Sequence, residues 1–167
     1  MKILGVVLAG GASQRFGSDK ALAKLDGRAL IDHVCDRLAP QCAALAVAGR
    51  AHDGWHSLAD LPPGGQGPLA AINAALDYAA SNGFDAVLSA PCDAPDLPLD
   101  LVVRLAPGPA VLADQPVIGL WPVALAPAVA AWLASGQRAV RGFADHVGAR
   151  RVAHPRLRNI NFPADLR

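Results

Sequence analysis

Residues 3–22 read ILGVVLAGGASQRFGSDKAL, an apolar run followed by a glycine-rich loop that ends in a lysine. The first six of them, Ile3–Leu8, are aliphatic apart from one glycine, so they predict a short buried strand. Glycines after such a strand allow the backbone to approach a ligand closely. Arg15 and Lys20 add two positive charges to this loop, which favours the binding of a phosphate chain.

The spacing of the glycines excludes two common phosphate-binding motifs. A P-loop requires a lysine directly after its last glycine, but Gly17 is followed by Ser18 and Asp19 before Lys20. The dinucleotide fingerprint G-x-G-x-x-G fails because Gly10 and the following Gly11 are adjacent. The glycine loop is therefore either a phosphate site of another kind or a plain strand–helix turn whose arginine and lysine are solvated.

Short apolar runs alternate with helical patterns along the rest of the chain. Strands are predicted at Ile3–Leu8, Ala43–Ala48, Phe84–Ala90, Ala110–Ala113, Val117–Trp121 and Arg151–Ala153. Helices are predicted at Ala29–Leu38, Leu69–Ala80, Leu99–Leu105, Leu125–Ala134 and Gln137–His146, and a turn at Asp114-Gln115-Pro116. This alternation predicts an α/β fold with a mainly parallel sheet covered on both faces. Because ligands of such sheets lie beyond the carboxyl ends of strands, the loops after Leu8, Ala48 and Ala90 should converge at one edge.

The composition limits the class of protein. At 167 residues, with 53% hydrophobic and 17% charged residues, the chain is expected to form one domain over 1–167. A net charge of +1 gives no reason to expect nucleic acid as a partner, and the lack of a long apolar run predicts no membrane span. Three cysteines without a C-x-x-C pair favour a reducing, cytoplasmic location.

The segment PCDAPDLP, residues 91–98, follows a predicted buried strand directly. A carboxylate at the tip of a buried strand is costly unless something pairs with it. A divalent cation such as Mg²⁺, held between carboxylate and phosphate oxygens, is one such partner, so Asp93 is a candidate metal ligand. The alternative is a loop aspartate that caps the next helix, a role for which Asp96 is better placed.

The pattern L-A-G-G-x-S-x-R-x-G-x-D-K, which begins at Leu8, resembles the signature of molybdenum cofactor guanylyltransferases. Two further segments, QPVIGLWP at 115–122 and NINFPADL at 159–166, are similar to that family's H-P-x-x-G-L-W and N-x-N-T-P-E-D-L. The resemblance implies a three-layer Rossmann-like nucleotidyltransferase fold with a mainly parallel, mixed sheet. It also implies transfer of GMP from GTP to the phosphate of molybdopterin, with release of pyrophosphate and Mg²⁺ as cofactor. Transient contacts with molybdenum-insertion proteins or molybdoenzyme chaperones are a further implication.

The resemblance also assigns roles to individual positions. The catalytic residues it implies are Arg15, Lys20 and Asp93, of which Asp93 also holds the metal. The nucleotide-binding residues it implies are Leu8, Ala9, Gly10, Gly11, Gly17, Lys20, Asp60, Gly67 and Asp93. Within this set, Asp60 begins the spacing D-x6-G-P-L, similar to the family's loop that contacts base and ribose, in which the G-P-L opens the following helix. Asn159 and Asn161 are expected to fix an extended segment across the active edge, with Asn161 near the acceptor; the alternative is a C-terminal turn held by asparagine hydrogen bonds. Asp19 is expected to orient the glycine loop, with direct metal binding as the other interpretation.

The chain departs from the family pattern next to Ala48. The family often offers an asparagine to the base there, whereas this chain reads AVAGR, with Arg50 as the nearest polar side chain. A cytidylyl- or sugar-phosphate nucleotidyltransferase of the same fold therefore stays an alternative. So does a nucleotide or pterin carrier without catalysis, although the joint presence of Arg15, Lys20 and Asp93 speaks against it.

Two other patterns have weaker functional interpretations. His52 and His56 form an H-x-x-x-H pair, but Gly54 lies between them and no third ligand follows, which disfavours zinc. The run RRVAHPRLR at 150–158 is a basic cluster on a nearly neutral chain. It is consistent either with binding of an anionic pterin phosphate or a partner protein, or with a solvated edge.

Overall fold

The computed structural model describes residues 1–10, 19–64 and 66–166. In these ranges the strands form a seven-stranded sheet of order β5-β4-β1-β6-β8-β7-β9 and a two-stranded hairpin, β2–β3. The strands are β1 Ile3–Leu8, β2 Lys24–Leu25, β3 Arg28–Ala29, β4 Ala44–Ala48, β5 His56–Leu58, β6 Ala86–Pro91, β7 Ala110–Leu112, β8 Gln115–Pro122 and β9 Arg150–Val152. The helices are α1 Leu30–Leu38, α2 Pro68–Ser81, α3 Leu101–Leu105, α4 Ala126–Ala134 and α5 Val140–His146.

The large sheet is the middle of three layers. Along β1 the side chains alternate between its two faces, as the two-residue period of a strand requires. Ile3 and Val7 pack into the core that includes α1 and α3, whereas Val6 packs into the core that includes α2, α4 and α5. Helices on both faces confirm the predicted α/β class.

The strand directions explain why ligand-binding loops gather at one edge. β1 lies between β4 and β6 and is parallel to both, and β5 is parallel to β4. β8 runs antiparallel to β6 and to β7, so the sheet is mixed, as expected. At the carboxyl ends, Leu8 is level with Ala48 on one side and with Pro91 on the other. The ends of the three strands that precede these loops therefore meet at one edge, as predicted.

The amino end of β1 lies at the opposite edge of the sheet. There the backbone N–H of Lys2 donates to the side chain of Asp85, at 2.5 Å, and the backbone N–H of Asp85 donates to the carbonyl of Lys2, at 2.7 Å. The Lys2 ammonium lies 4.5 Å from the centre of the Phe84 ring. These contacts fix the start of β1 beside the start of β6.

The structure corrects the predicted turn at Asp114-Gln115-Pro116. Proline and aspartate favour turns, but β8 already begins at Gln115, and Leu112 pairs with Gln115 after a register shift in β7. The buried Gln115 side chain finds hydrogen-bond partners in residues 157–159, which lets the strand start inside the predicted turn.

Two elements were missing from the prediction. β5 has three residues, too few for an alternating pattern, and depends on pairing with β4. The hairpin β2–β3 turns at Asp26 and Gly27, both with positive φ, and an Asp-Gly pair is a recognised hairpin signal. In the part of the chain that the structure describes, no helix is both long and apolar enough to cross a membrane.

Candidate functional site

A cavity of about 400 Å³ opens beyond the carboxyl ends of β1 and β6. The predicted site residues that line it are Leu8, Gly10, Lys20, Asp60, Gly67 and Asp93. Val117 and Asn159 line it as well, from the side of β8 and the C-terminal segment. Sequence positions as far apart as 8 and 93 therefore meet because parallel strands deliver them to one edge.

Lys20 and Asp93 form an ion pair in this cavity. Lys20 Nζ lies 3.3 Å from Asp93 Oδ2, and the two side chains are 23% and 16% exposed. The other carboxylate oxygen, Asp93 Oδ1, is buried and has no hydrogen-bond partner among the described residues. A buried carboxylate oxygen without a donor is unfavourable, so this position suits a ligand that can satisfy it.

A divalent cation fits the donor set around Asp93. Among the described residues, no group of three or more His, Cys, Asp or Glu side chains could hold a metal. A zinc-type cage of protein ligands is therefore not formed by these residues. One carboxylate with an unpartnered oxygen matches a hard cation that takes its remaining ligands from water and substrate phosphates.

Asp60 lies where two cavities adjoin. The second cavity, of about 430 Å³, shares Gly10 and Asp60 with the first and is also lined by Gly49, Arg50 and Ser57. Asp60 Oδ1 is buried without a partner among the described residues, and burial raises the pKa of the Asp60 carboxyl. The group is placed to accept hydrogen bonds from N–H or O–H donors of a ligand that enters either cavity.

Two glycines that line the second cavity, Gly10 and Gly49, are in close contact. A Cβ added to Gly49 would lie 2.4 Å from Gly10 Cα and 2.5 Å from Gly10 N. Gly49 also has φ +90°, which side chains disfavour. The carboxyl ends of β1 and β4 can approach this closely only because both positions lack a side chain.

Gly49→Ala is expected to destabilise the protein and to weaken ligand binding at this edge. Its methyl group would overlap Gly10, which lines both cavities. Strain from the positive φ alone costs about 1–2 kcal/mol. Gly54→Ala is the matched control, because Gly54 has φ +89° and no described residue comes within 4 Å of an added Cβ. Chemical denaturation should show the larger loss for Gly49→Ala, and equal losses would contradict a steric role for the contact.

Arg50, on the turn after β4, is held by Asp19. Arg50 Nη1 lies 2.6 Å from Asp19 Oδ1, so the residue before Lys20 is bound to the carboxyl end of β4. Asp19 was predicted to orient the glycine loop, with direct metal binding as the other interpretation. The ion pair favours the orienting role, although that role stays a prediction.

The start of α2 is shaped by Gly67 and Pro68. Gly67 has φ +84°, a conformation that favours glycine, and Pro68 occupies the first turn, where its missing N–H costs nothing. Both residues line the first cavity. This agrees with the predicted place of the G-P-L segment at the opening of a helix.

The C-terminal segment crosses the loop that carries Asp93. The backbone N–H of Ile160 donates to the Asp93 carbonyl, at 2.9 Å, and the Ile160 side chain is buried against Leu25 and Leu30. Asn159, which the sequence analysis places with Asn161 in a segment across the active edge, lines the cavity. Asn161 does not line it; its backbone N–H donates to Asp165. An acceptor-binding role for the Asn161 side chain stays a prediction.

The predicted residues Gly11, Arg15 and Gly17 lie outside the described residues. Ala9 lies within them, and its backbone N–H donates to the Ala48 carbonyl, at 2.9 Å. Asp96, the predicted helix cap, instead forms an ion pair with Arg158 Nε, at 2.9 Å.

The basic run 150–158 is largely engaged in contacts within the protein. Arg150 Nη2 donates to the carbonyl of Leu105, at 3.0 Å, and Arg151 pairs with Asp145. Arg158 pairs with Asp96. Since these guanidinium groups already have partners, the structure favours the solvated-edge interpretation of the run over an anion-binding one.

The two histidines of the H-x-x-x-H pattern serve different neighbours. His52 Nε2 lies 2.7 Å from Asp32 Oδ1. The His56 ring stacks on Tyr78, with centroids 4.6 Å apart. Each ring thus has a structural contact of its own.

Comparison with known proteins adds to this geometry. Residues 5–152 match the family of MobA-like NTP transferase domains. The molybdenum cofactor guanylyltransferase of Cereibacter sphaeroides is 41% identical over 99% of this chain and 94% of its own length. The molybdenum cofactor guanylyltransferase of Acidiphilium cryptum is 40% identical over 96% of this chain and 90% of its own length. The crystal structure of molybdopterin-guanine dinucleotide biosynthesis protein A from Archaeoglobus fulgidus, 22% identical, has a TM-score of 0.73 over 98% of this chain and 94% of that one. The resemblance inferred from the glycine loop is confirmed.

Proposed function

Since the chain belongs to the family of MobA-like NTP transferase domains, we propose that it is a nucleotidyltransferase that transfers GMP from GTP to the phosphate of molybdopterin. In this reaction an oxygen of the acceptor phosphate bonds to the α-phosphorus of GTP. The bond between the α-phosphorus and its bridging oxygen breaks, and pyrophosphate leaves. The product is the guanine dinucleotide form of the molybdenum cofactor.

The observation that carries the proposal is the Lys20–Asp93 pair in the cavity beyond β1 and β6. The acceptor phosphate is already anionic, so the reaction needs no strong general base. Its barrier lies in bringing two polyanions together and in the charge that develops around the transferred phosphorus. Positioning and electrostatic stabilisation are therefore the main contributions of the protein.

The residues divide between two sides of the cavity. On the β4 side, Asp60 and Gly10 are proposed to contact the nucleoside, since both border the second cavity as well. Lys20 is proposed to contact the phosphates, where its ammonium would stabilise the negative charge at the α/β linkage. On the β8 side, Asn159 and Val117 are proposed to contact the acceptor. Arg15, outside the described residues, is proposed to face the departing pyrophosphate.

Asp93 is the residue proposed to hold Mg²⁺. Its Oδ1, which has no hydrogen-bond partner in the described part of the chain, is available as a ligand, and the ion pair with Lys20 orients the carboxylate. When bound, the cation would screen the repulsion between the phosphates and stabilise charge in the transition state.

Three wider expectations accompany this function. Residues 1–167 are proposed to act as one nucleotidyltransferase domain, because the segment at 159–160 contributes to the cavity formed by the strands. A cytoplasmic location stays a prediction from the cysteine usage. Transient contacts with molybdenum-insertion proteins or molybdoenzyme chaperones would deliver the pterin and remove the product.

A cytidylyltransferase is the second candidate, because the chain lacks the asparagine that the family often offers to the base next to Ala48. Arg50 lines the second cavity next to Ala48, where the family pattern often has an asparagine. A nucleotide carrier without catalysis would bind GTP but release no pyrophosphate when molybdopterin is present. These outcomes are separable by experiment.

Thermal unfolding with GTP, ATP, CTP or UTP, each with and without Mg²⁺, tests the base. GTP with Mg²⁺ is expected to raise the Tm, because a ligand at 100 times its Kd stabilises the native state by about 2.7 kcal/mol. The other nucleotides should give smaller shifts, since a wrong base leaves buried polar groups unpaired. A larger Tm shift with CTP than with GTP would identify CTP as the donor. The absence of a shift with any nucleotide would contradict nucleotide binding by the free protein.

A further inference from the structure

Gln115, the first residue of β8, connects the sheet to the C-terminal segment. Its side chain is buried, at 7% exposure, and makes two hydrogen bonds. The backbone N–H of Leu157 donates to Gln115 Oε1, at 3.0 Å. Gln115 Nε2 donates to Asn159 Oδ1, at 2.9 Å. A single buried carboxamide thus spans the two residues that flank Arg158.

The polarity of this chain of bonds is fixed by the backbone. A backbone N–H can only donate, so the partner of Leu157 must be the oxygen of the Gln115 carboxamide. The nitrogen of that carboxamide then faces Asn159 and requires an acceptor there, which is Oδ1. Asn159 is left with its NH₂ group as the end that can serve a ligand.

Asn159 lines the cavity that holds Lys20 and Asp93. The next residue, Ile160, is bonded through its backbone N–H to the Asp93 carbonyl, which holds the backbone beside Asn159 against the loop. The nucleoside is proposed to lie on the opposite side, near Gly10 and Asp60. An NH₂ donor on the β8 side therefore suits the anionic oxygens of the acceptor phosphate.

We propose that Gln115 is a positioning residue that holds the Asn159 carboxamide with its NH₂ group toward the acceptor phosphate. The inference rests on the proposed guanylyl transfer. It adds the residue that orients the hydrogen-bond donor on the acceptor side of the cavity. Gln115 does not contact the substrates; it determines which end of Asn159 does.

Gln115→Glu tests the proposal, because a carboxylate accepts hydrogen bonds at both oxygens. One oxygen can still accept from Leu157 N–H, but the other cannot donate to Asn159 Oδ1. Asn159 then turns its NH₂ group to the carboxylate and presents Oδ1 to the acceptor phosphate. The KM for Mo-molybdopterin, measured by pyrophosphate release with saturating GTP and Mg²⁺, should rise roughly tenfold or more. The Kd for GTP should stay within about twofold.

Two further variants separate positioning from folding. Gln115→Met removes both hydrogen bonds without adding a charge, so Asn159 can adopt either orientation, and the rise in the acceptor KM should be smaller than for Gln115→Glu. In an Asn159→Ala background, Gln115→Glu should raise the acceptor KM no further, because the residue it orients is gone. Melting curves of all variants establish that each is folded.

The outcomes distinguish the positioning role from the reaction itself. An unchanged acceptor KM in folded Gln115→Glu or Gln115→Met overturns the positioning role. The role is also overturned if Gln115→Glu raises the acceptor KM by the same factor in the Asn159→Ala background as in the wild-type background. An equal loss of GTP affinity would overturn it too, since a general disturbance of the cavity would then explain the effect. Wild-type protein that binds GTP but releases no pyrophosphate would overturn the proposed function and the acceptor role together.

Discussion

Asp93→Asn is expected to lower kcat for pyrophosphate release by on the order of 10³-fold or more, equivalent to about 4 kcal/mol of transition-state stabilisation. Asparagine keeps the shape of the side chain but removes the negative charge that is proposed to hold Mg²⁺. The buried Oδ1, without a partner among the described residues, would be replaced by a weaker neutral ligand or by an NH₂ group. The assay uses GTP, Mo-molybdopterin and a titration of Mg²⁺.

Asp96→Asn is the matched control for this prediction. Asp96 lies three residues further along the same loop, but its carboxylate pairs with Arg158 instead of lining the cavity. Its kcat should stay within about twofold of wild type, because exposed ion pairs contribute little to stability. If Asp93→Asn retained near-normal kcat at every Mg²⁺ concentration, while its melting curve matched wild type, the assignment of the metal to Asp93 would be wrong.

Lys20→Met is expected to lower kcat/KM by on the order of 10²-fold, or about 2.7 kcal/mol. The ammonium is proposed to stabilise charge at the α/β linkage as the bond to pyrophosphate breaks. A contact that strengthens in the transition state affects kcat, whereas one that is equal in both states affects only KM. Steady-state kinetics with varied GTP separate the two quantities.

Lys24→Met gives the corresponding control. Lys24 is an exposed lysine of the hairpin, outside the cavity, so the same change of charge and volume should leave kcat unaltered. Lys20→Met removes a partner of the poorly exposed Asp93, and its stability must be measured beside its activity. A loss confined to the KM for GTP would reduce Lys20 to a residue that binds substrate without assisting the bond-breaking step.

The central part of the fold was predictable because its signals are local. The apolar run Ile3–Leu8 and the runs around Ala48 and Ala90 each identify a buried strand from composition alone. Their parallel arrangement follows from the helices between them, and parallel strands end at a common edge. This reasoning predicts that the loops carrying Lys20 and Asp93 meet at one edge, whereas the place of Asp60 in the site was implied by the family resemblance.

The remaining features depend on contacts between distant segments. No local signal marks β5, because its pairing with β4 decides its conformation. Gln115 was assigned to a turn, since its partners Leu157 and Asn159 lie more than forty positions further along the chain. The resemblance placed Asn159 and Asn161 together at the active edge, and the folded arrangement shows that Asn159 is the one of the two that lines the cavity. Buried polar groups of this kind are fixed by the folded arrangement rather than by local propensity.

The direction of β1 decides how the protein can be attached to a surface. Six residues of strand separate its amino end from the cavity, which corresponds to about 20 Å. Met1, 74% exposed, lies at the edge of the sheet away from Asp93, whereas the other end of the chain follows the segment that contacts the Asp93 loop. Biotin or a fluorophore coupled at the amino terminus leaves the mouth of the cavity facing solution. In a biosensor that immobilises the protein through this end, the cavity of each molecule would face the nucleotide solution.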